Sequence, residues 1–230
     1  MFEIKFKELN MFKQRKVTFS KIKLKNFKKL KDVIVILLSE DSRLSPISVE
    51  LNNLTGGLIT RVLESSTFGD QKLNSCLTLN FPKGLSTEAI IIIKINKNLH
   101  YNQAREAGAN LSKIIGQRDV ITLFNEDPST FDIIFGFLLK EYRFNKHKSK
   151  PLKINSSVNV LVESPFKSKK AYAKYQNIID GVFLTRDLTN EPSNILSTTE
   201  FAKKITQLTK YGLEVRTLEE SDLKKLGMNA

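Results

Sequence analysis

The chain has 230 residues, of which 40% are hydrophobic and 27% are charged. This composition predicts one substantial core with a smaller appended unit. The longest apolar runs, residues 33–38 and 89–93, are far shorter than the roughly 20 residues that span a bilayer, so we expect no membrane partner. The start of the chain lacks the basic cap and apolar core of a signal peptide, so we expect a cytoplasmic location. Cys76 is the only cysteine, which excludes an intrachain disulfide and a cysteine-based zinc site.

The formal net charge is +13, and a basic balance is typical of proteins that bind nucleic acids. However, only eight of the 37 basic residues are arginines, the residue type that most often recognises phosphates and bases. The lysines concentrate near the start of the chain. Two interpretations stay open for them: a solvated face of a strand, or an anion-binding face that includes Lys21, Lys23 and Lys25.

The first part of the chain has the pattern of strands followed by a helix. Residues 17–20, 22–27 and 32–38 are predicted to be successive strands separated by basic turns. After Asp32 the last of them is uniformly apolar, which is typical of a central strand covered on both faces. Residues 45–63 repeat apolar side chains every three or four positions and are predicted to form a helix.

The middle of the chain alternates strands with helices. The predicted order is strand 76–79, strand 89–95, helix 98–115, strand 120–124, helix 129–142 and strand 158–162. Such alternation predicts an α/β fold with a mostly parallel sheet that is flanked by helices.

The last part of the chain is predicted to be a connecting helix and a short further unit. The helix covers residues 169–188, and the capping-box spacing from Ser197 to Glu200 predicts a second helix that ends at Gly212. A strand is predicted at residues 213–217. We therefore divide the chain as follows: an N-terminal α/β domain (1–166), a connecting helix (167–188) and an incomplete α/β unit (189–230).

This last unit is too small to fold alone without metals, disulfides or partners. Its apolar side chains should be partly exposed unless another surface covers them. We expect deletion of residues 190–230 to change the stability of the first domain little.

The order of several segments resembles the leucyl aminopeptidase family, the cytosolic two-metal exopeptidases. The segments are Leu54-Thr55-Gly56-Gly57, the helix segment 105–111, the turn 142–150, the motif 186–194 and the helix end 223–228. The resemblance implies a macro-like N-terminal domain followed by the opening of a catalytic domain. It also implies removal of N-terminal residues such as leucine during peptide turnover, two divalent cations (zinc or manganese), and hexamers.

The family's metal-binding motifs, Asp-Thr-Gly-Gly and Asn-Thr-Asp-Ala-Glu-Gly-Arg, do not occur in this sequence. At Leu54 a leucine stands where the first motif has its metal-binding aspartate. The resemblance therefore implies no catalytic residue, no metal ligand and no cofactor bound by this chain. We expect the chain alone to be inactive, as a truncated product, one half of a split enzyme or a gene remnant. Its partners would be further copies or a separately encoded catalytic half.

The motif at residues 186–194, called the boundary motif below, is predicted to shape the start of the second unit. Its residues of interest are Arg186, Asp187, Asn190, Glu191, Pro192 and Asn194. Asp187 is expected to pair with Arg186 or a neighbouring lysine. Asn190 and Asn194 are expected to hydrogen-bond the backbone beside Pro192. We expect His100 and His147 to lie at the surface.

An alternative function is a stand-alone module that binds nucleic acids or nucleotides, or that supports assembly. The resemblance implies a domain similar to folds that hold nucleotides, and some members of the family also bind DNA. The basic N-terminal region is the local support for this alternative.

Overall fold

The computed structural model describes residues 15–31, 33–39, 44–116, 118, 120–124, 129–149 and 157–228. The strands in these ranges are β1 (Lys16–Lys21), β2 (Val33–Leu38), β3 (Cys76–Asn80), β4 (Ala89–Lys94), β5 (Val120–Phe124) and β6 (Ser157–Val162). They form one sheet of order β1-β6-β5-β2-β4-β3. All neighbouring strands pair in parallel except β3 and β4, which are antiparallel. The predicted α/β fold with a mostly parallel sheet is confirmed.

Helices cover both faces of the sheet. They are α1 (Pro46–Leu54), α2 (Leu58–Leu63), α3 (Ser66–Gly69), α4 (Tyr101–Ile115), α5 (Thr130–Lys140), α6 (Pro165–Asn190), α7 (Thr198–Thr206) and α8 (Glu220–Lys225), with 3-10 helices at Leu24–Lys29 and Gln207–Tyr211. One face packs against α1, α2, α3 and the first 3-10 helix. The other packs against α4, α5 and α6. Within the described ranges, no helix is both long and apolar enough to cross a membrane.

The centre of the sheet is built from continuous apolar strands. Every residue of β4 is buried, and Ile90 to Ile93 have no exposed surface. Strand β2 beside it is buried at five of its six positions. Side chains of a central parallel strand point into two helix layers, so both faces must be apolar and strict alternation is lost.

The predicted helix over residues 45–63 is wrong as one element, because the chain divides it into α1 and α2. Gly56 and Gly57 have φ angles of 64° and 81°, a left-handed conformation that glycine adopts without steric cost. Helix α1 starts with Pro46 in its first turn and with the Ser45 hydroxyl accepting the N–H of Ser48. The two glycines therefore end one helix and redirect the chain into the next.

Two predicted strands are absent from the described residues. The segment 22–27 enters a 3-10 helix instead, and the three-residue spacing from Leu24 to Phe27 fits that helix better than strand alternation. The segment 213–217 belongs to an irregular stretch with no strand partner in the described ranges. An isolated strand leaves its backbone groups unpaired, so apolar alternation alone does not make one.

The C-terminal unit, residues 192–228, packs loosely. Helix α7 begins at a Ser197 cap, and Gly212 has the expected left-handed φ of 83°. Neither α7, α8 nor the 3-10 helix between them has a fully buried residue. Apolar side chains stay exposed, namely those of Ile195, Phe201, Leu213, Leu226 and Met228. The unit thus has the exposed apolar surface that its length predicted.

Candidate functional site

The boundary motif begins in the last turns of α6, a helix of 26 residues. Tyr172, Ile179 and Phe183 on this helix are buried in the core beneath the sheet. The end of the helix is therefore held by the N-terminal domain. Glu191 follows the last helical residue, and the backbone then turns, with Pro192 accepting the N–H groups of residues 195 and 196 at 2.9 Å.

Asp187 and Asn190 contact Tyr142, the second residue after the end of α5. The Tyr142 hydroxyl donates to Oδ1 of Asp187 at 2.9 Å. Asn190 donates through Nδ2 to the Tyr142 hydroxyl at 3.1 Å and to the backbone carbonyl of Arg186 at 2.7 Å. The side chain of Asn190 thus bonds to the backbone as expected, and Tyr142 bridges it to a buried aspartate.

Glu191 is enclosed by two basic side chains from the turn after α5. Its side chain has no exposed surface. Lys146 donates to Oε1, and Nε2 of His147 lies 2.7 Å from Oε2. His147 is exposed, as predicted, but its ring is also a partner of this carboxylate. Buried carboxylates need such donors, because an unpaired one would be strongly destabilising.

The surroundings shift the pKa values of three groups in this cluster. Burial raises the pKa of Asp187 to about 6, and the nearby Glu191 carboxylate adds to the increase. For Glu191, burial opposes ionisation, but the bonds from Lys146 and His147 outweigh it and hold the pKa below the ordinary value. Burial, with Asp187 close by, raises the pKa of Tyr142 to about 12.

The expected pairing of Asp187 with Arg186 is wrong. Arg186 donates instead through Nη1 to the carbonyl of Leu139 at 2.7 Å, and its guanidinium lies 5.3 Å from the centre of the Tyr142 ring. Carbonyls in the last turn of a helix lack helical partners, and α5 ends there, so a basic side chain is favoured at this place. Asn194 is exposed and makes no side-chain hydrogen bond within the described part of the chain.

These contacts fix the direction in which the chain leaves α6, and they do not form a metal centre. The two carboxylates already have hydroxyl, ammonium and imidazole partners. Across the residues that the structure describes, no group of three or more His, Cys, Asp and Glu side chains could hold a metal ion. The contacts between Tyr142, Lys146 and His147 on one side and Asp187, Asn190 and Glu191 on the other are called the boundary cluster below.

The lysines proposed for anion binding lie at one edge of the sheet. Lys21 ends β1, Lys23 follows it, and both are exposed. A bond of 3.2 Å from the N–H of Ile22 to the carbonyl of Val162 places them beside the end of β6. The side chain of Lys25 is outside the described residues, as are the lysines before residue 15. Anion binding here stays a prediction.

Sequence reasoning missed the contact partners of the boundary motif. The turn 142–150 and the motif 186–194 both entered the resemblance, but nothing in their spacing indicated that they touch. The available signal was their opposite charge, Lys146 and His147 against Asp187 and Glu191. Arg15 was also missed: it is buried and contacts Glu141 at 2.6 Å. Cys76 is half-buried, and burial raises the pKa of its thiol to about 12.

Searches for similar proteins return aminopeptidases. No family model matches the chain. A probable cytosol aminopeptidase of Dinoroseobacter shibae is 36% identical over 197 residues, and one of Cereibacter sphaeroides is 30% identical over the same length. Each match covers 86% of this chain and 40% of the relative. The chain therefore spans less than half the length of these curated relatives.

Solved structures give the same fold. A tomato leucine aminopeptidase variant superposes with a TM-score of 0.73 at 16% identity, over 95% of this chain and 47% of that one. The bottromycin maturation enzyme BotP in complex with Mn gives 0.58 at 17% identity, over 86% of this chain and 40% of that one. The structure is an α/β fold in which the boundary cluster joins the end of α6 to the turn after α5. The chain belongs to the leucyl aminopeptidase family and corresponds to the N-terminal portion of its members.

Proposed function

We propose that this chain is the N-terminal portion of a two-metal leucyl aminopeptidase, which removes N-terminal amino acids in intracellular peptide turnover. In this proposal the chain contributes the domain that carries and orients the peptidase portion, and it does not hydrolyse peptides by itself. The division into residues 1–166, 167–188 and 189–230 is part of the proposal. A cytoplasmic location follows from the proposed role and from the relatives' description as cytosol enzymes.

The boundary cluster is the observation that carries this proposal. It joins two segments of the chain that resemble the family, and it holds Glu191, the residue before Pro192, against the turn after α5. That unit has exposed apolar side chains that suit coverage by a larger partner. A separately encoded catalytic half and further copies of the chain are the partners that we propose.

The two divalent cations belong, in this proposal, to the peptidase portion. The described residues of this chain do not fit a metal, since no suitable cluster of ligands occurs among them. Bound cations would polarise the peptide carbonyl and activate water. This chain would contribute only the position of the portion that holds them.

Native purification tests the proposal. The protein is isolated from its own cells, its intact mass is measured, and leucyl-anilide hydrolysis is assayed with added manganese. We expect hydrolysis to accompany a larger species, or a second chain that carries the carboxylate motifs. The recombinant 230-residue chain is the matched control and should be inactive. Hydrolysis by the pure chain would contradict its assignment as a non-catalytic portion.

Nucleic-acid binding is a second candidate function, favoured by the exposed positions of Lys21 and Lys23 at the sheet edge. Phosphate contacts release counterions, so affinity for duplex DNA should fall steeply as salt increases. Charge reversal at Lys21, Lys23 and Lys25 should abolish it. Reversal of three lysines on α6, Lys167, Lys169 and Lys170, provides the control. Binding that survives the first reversal would remove this candidate.

A further inference from the structure

Among the residues that the structure describes, strand β3 has no neighbouring strand on its outer side. It pairs only with β4 among the described strands, and it is the last strand in the sheet order. Phe81, just beyond the strand, donates its N–H to Glu88 on the β4 side at 2.8 Å. Because these groups alternate in direction along an antiparallel strand, the backbone groups of Cys76, Thr78 and Asn80 point to the open edge. Such an edge is a template for another strand.

Two large apolar side chains flank this edge. Leu73 is 48% exposed at one end of β3, and Phe81 is 82% exposed at the other. Phe81 has a φ angle of +49°, a conformation that a bulky residue rarely adopts and that costs about 1–3 kcal/mol. The strained backbone therefore holds the Phe81 side chain in water, although a surface turn would ordinarily adopt an unstrained conformation.

The turn that carries Phe81 is firmly supported. The N–H of Ser86 donates to the carbonyl of Lys28 at 3.2 Å. Gly84 packs so closely on α1 that an added Cβ would lie 2.0 Å from the carbonyl oxygen of Leu54. A rigid turn presents an apolar anchor without a large loss of conformational entropy on binding.

The arrangement is complementary to itself. Leu73 and Phe81 lie equally far along the chain from Leu77, which is near the centre of β3. A twofold axis at Leu77 would pair β3 with the β3 of another molecule in antiparallel register. It would also bring the end of β3 that carries Phe81 beside the end of the other copy that carries Leu73, so that both exposed side chains lose water together.

The charge distribution around β3 also favours a second copy of the chain as the partner. The protein carries a net charge of +13, which opposes contact between copies over most of its surface. Around β3, however, two exposed acidic residues, Asp70 and Glu88, balance two exposed lysines, Lys72 and Lys83. The other edge of the sheet, β1, has exposed lysines at both of its ends and would repel a copy of itself.

We propose that the outer edge of β3, with Leu73 and Phe81, is an interface that pairs with the same edge of a second copy of this chain. The interface joins N-terminal domains directly and needs no peptidase portion. It is independent of the proposed enzymatic function.

Sedimentation velocity of the full chain over a range of concentrations tests this interface. We expect a reversible dimer. Phe81→Ser should raise the dimer dissociation constant roughly tenfold or more, since buried aromatic anchors dominate small interfaces. Phe166→Ser is the matched control, because Phe166 is 81% exposed on α6, and it should leave the constant unchanged.

Thr78→Pro removes one outward N–H and should also weaken the dimer, while an edge strand tolerates proline at such a position. Thermal unfolding shows whether this variant folds. If it does not, Phe81→Ser decides the question, because the Phe81 side chain is outside the core. A monomer at all concentrations, or equal effects of Phe81→Ser and Phe166→Ser, would overturn the proposal.

The register can be tested with the native cysteine. In the proposed pairing, position 78 lies opposite Cys76 of the second copy, at a Cα separation of about 5.5 Å that suits a disulfide. Mild oxidation of Thr78→Cys should give a covalent dimer bridged between these two positions. Because burial raises the pKa of the Cys76 thiol and slows its oxidation, the result that would contradict the register is a covalent dimer bridged between the two copies of position 78.

Discussion

Glu191 is the residue whose environment gives the clearest prediction. Lys146→Met removes one of two basic partners from a side chain without exposed surface. We expect the free energy of unfolding to fall by about 1–3 kcal/mol, because a buried acceptor loses a charged donor. Urea denaturation at pH 7 measures the change. Lys203→Met, which breaks an exposed ion pair with Glu200, is the control and should cost less than about 1 kcal/mol.

Asp187 makes stability depend on pH in an unusual direction. Its pKa is raised to about 6, above the value of about 3.9 that an aspartate has in an unfolded chain. The folded protein therefore binds this proton more tightly. The contribution of Asp187 to the free energy of unfolding is fully present below about pH 4 and is lost as the pH rises through about 6.

Asp187→Asn should flatten the pH profile, because it removes a loss on the order of 3 kcal/mol between pH 4 and 7. Urea midpoints across pH 4.5–7 measure this. Glu191 has a lowered pKa, so its contribution is lost only at more acidic pH. Asp70→Asn changes an exposed carboxylate and is the control. An unchanged slope in Asp187→Asn would contradict the assigned environment.

At the scale of elements, α4 and α5 make an unusually close contact. A Cβ at Gly108 would lie 1.9 Å from the carbonyl oxygen of Ile133, and one at Gly136 would lie 2.0 Å from that of Arg105. Each glycine thus admits the backbone of the other helix. Contacts this short with a backbone cannot be relieved by rotating a side chain, so the two helices must separate if either glycine gains a side chain.

Gly136→Ala should therefore destabilise the fold by about 1–3 kcal/mol through overpacking. Gly181→Ala is the matched control, because Gly181 lies in α6 and a methyl group added there would meet no atom within 4 Å. In that open place alanine should stabilise the helix by up to about 1 kcal/mol. Thermal unfolding of both variants checks the contrast, and equal effects would contradict the described packing.

The elements that sequence reasoning predicted are those whose local pattern and tertiary role agree. The continuous apolar run of β2 fits only a buried strand, and the apolar spacing of α4 fits only a helix. The structure contains both elements. The 3-10 helix at Leu24–Lys29 and the break at Gly56 were not, since an apolar spacing fits more than one geometry over six residues. The segment 213–217 has the apolar alternation of a strand but forms none, because no strand in the described ranges lies beside it to pair with its backbone.

The boundary cluster could be predicted only in part. Asn190 and Glu191 were singled out from the resemblance, and the bond from Asn190 to the helix backbone is a local one. The partners Tyr142, Lys146 and His147 are distant in sequence, and only the packing of α5 against α6 brings them close. Charge complementarity restricts the choice of partners but does not select one among 37 basic residues.

At the scale of the whole molecule, the place of a truncation should decide its effect. A chain that ends after Glu191 keeps the boundary cluster and loses only a unit without buried residues in its helices. Its melting temperature should stay within a few degrees of the full chain. The sequence alone predicted little effect from deleting residues 190–230, but a chain that ends after Thr189 loses the contacts of Asn190 and Glu191 with the turn after α5. We therefore revise that expectation, and this shorter chain should melt lower. Calorimetry of both measures the difference, and equal melting temperatures would contradict a stabilising cluster.

The length of helix α6 converts a small tilt into a large displacement of its far end. Its 26 residues extend over about 39 Å. A tilt of one degree about its first turn would move its far end by roughly 0.7 Å, more than the spread of distances that a hydrogen bond tolerates. The contacts of Asp187 and Glu191 therefore restrain the angle of the helix far more than their small number indicates. The orientation of a peptidase portion attached beyond residue 192 would therefore be set by the angle of α6 that these contacts restrain.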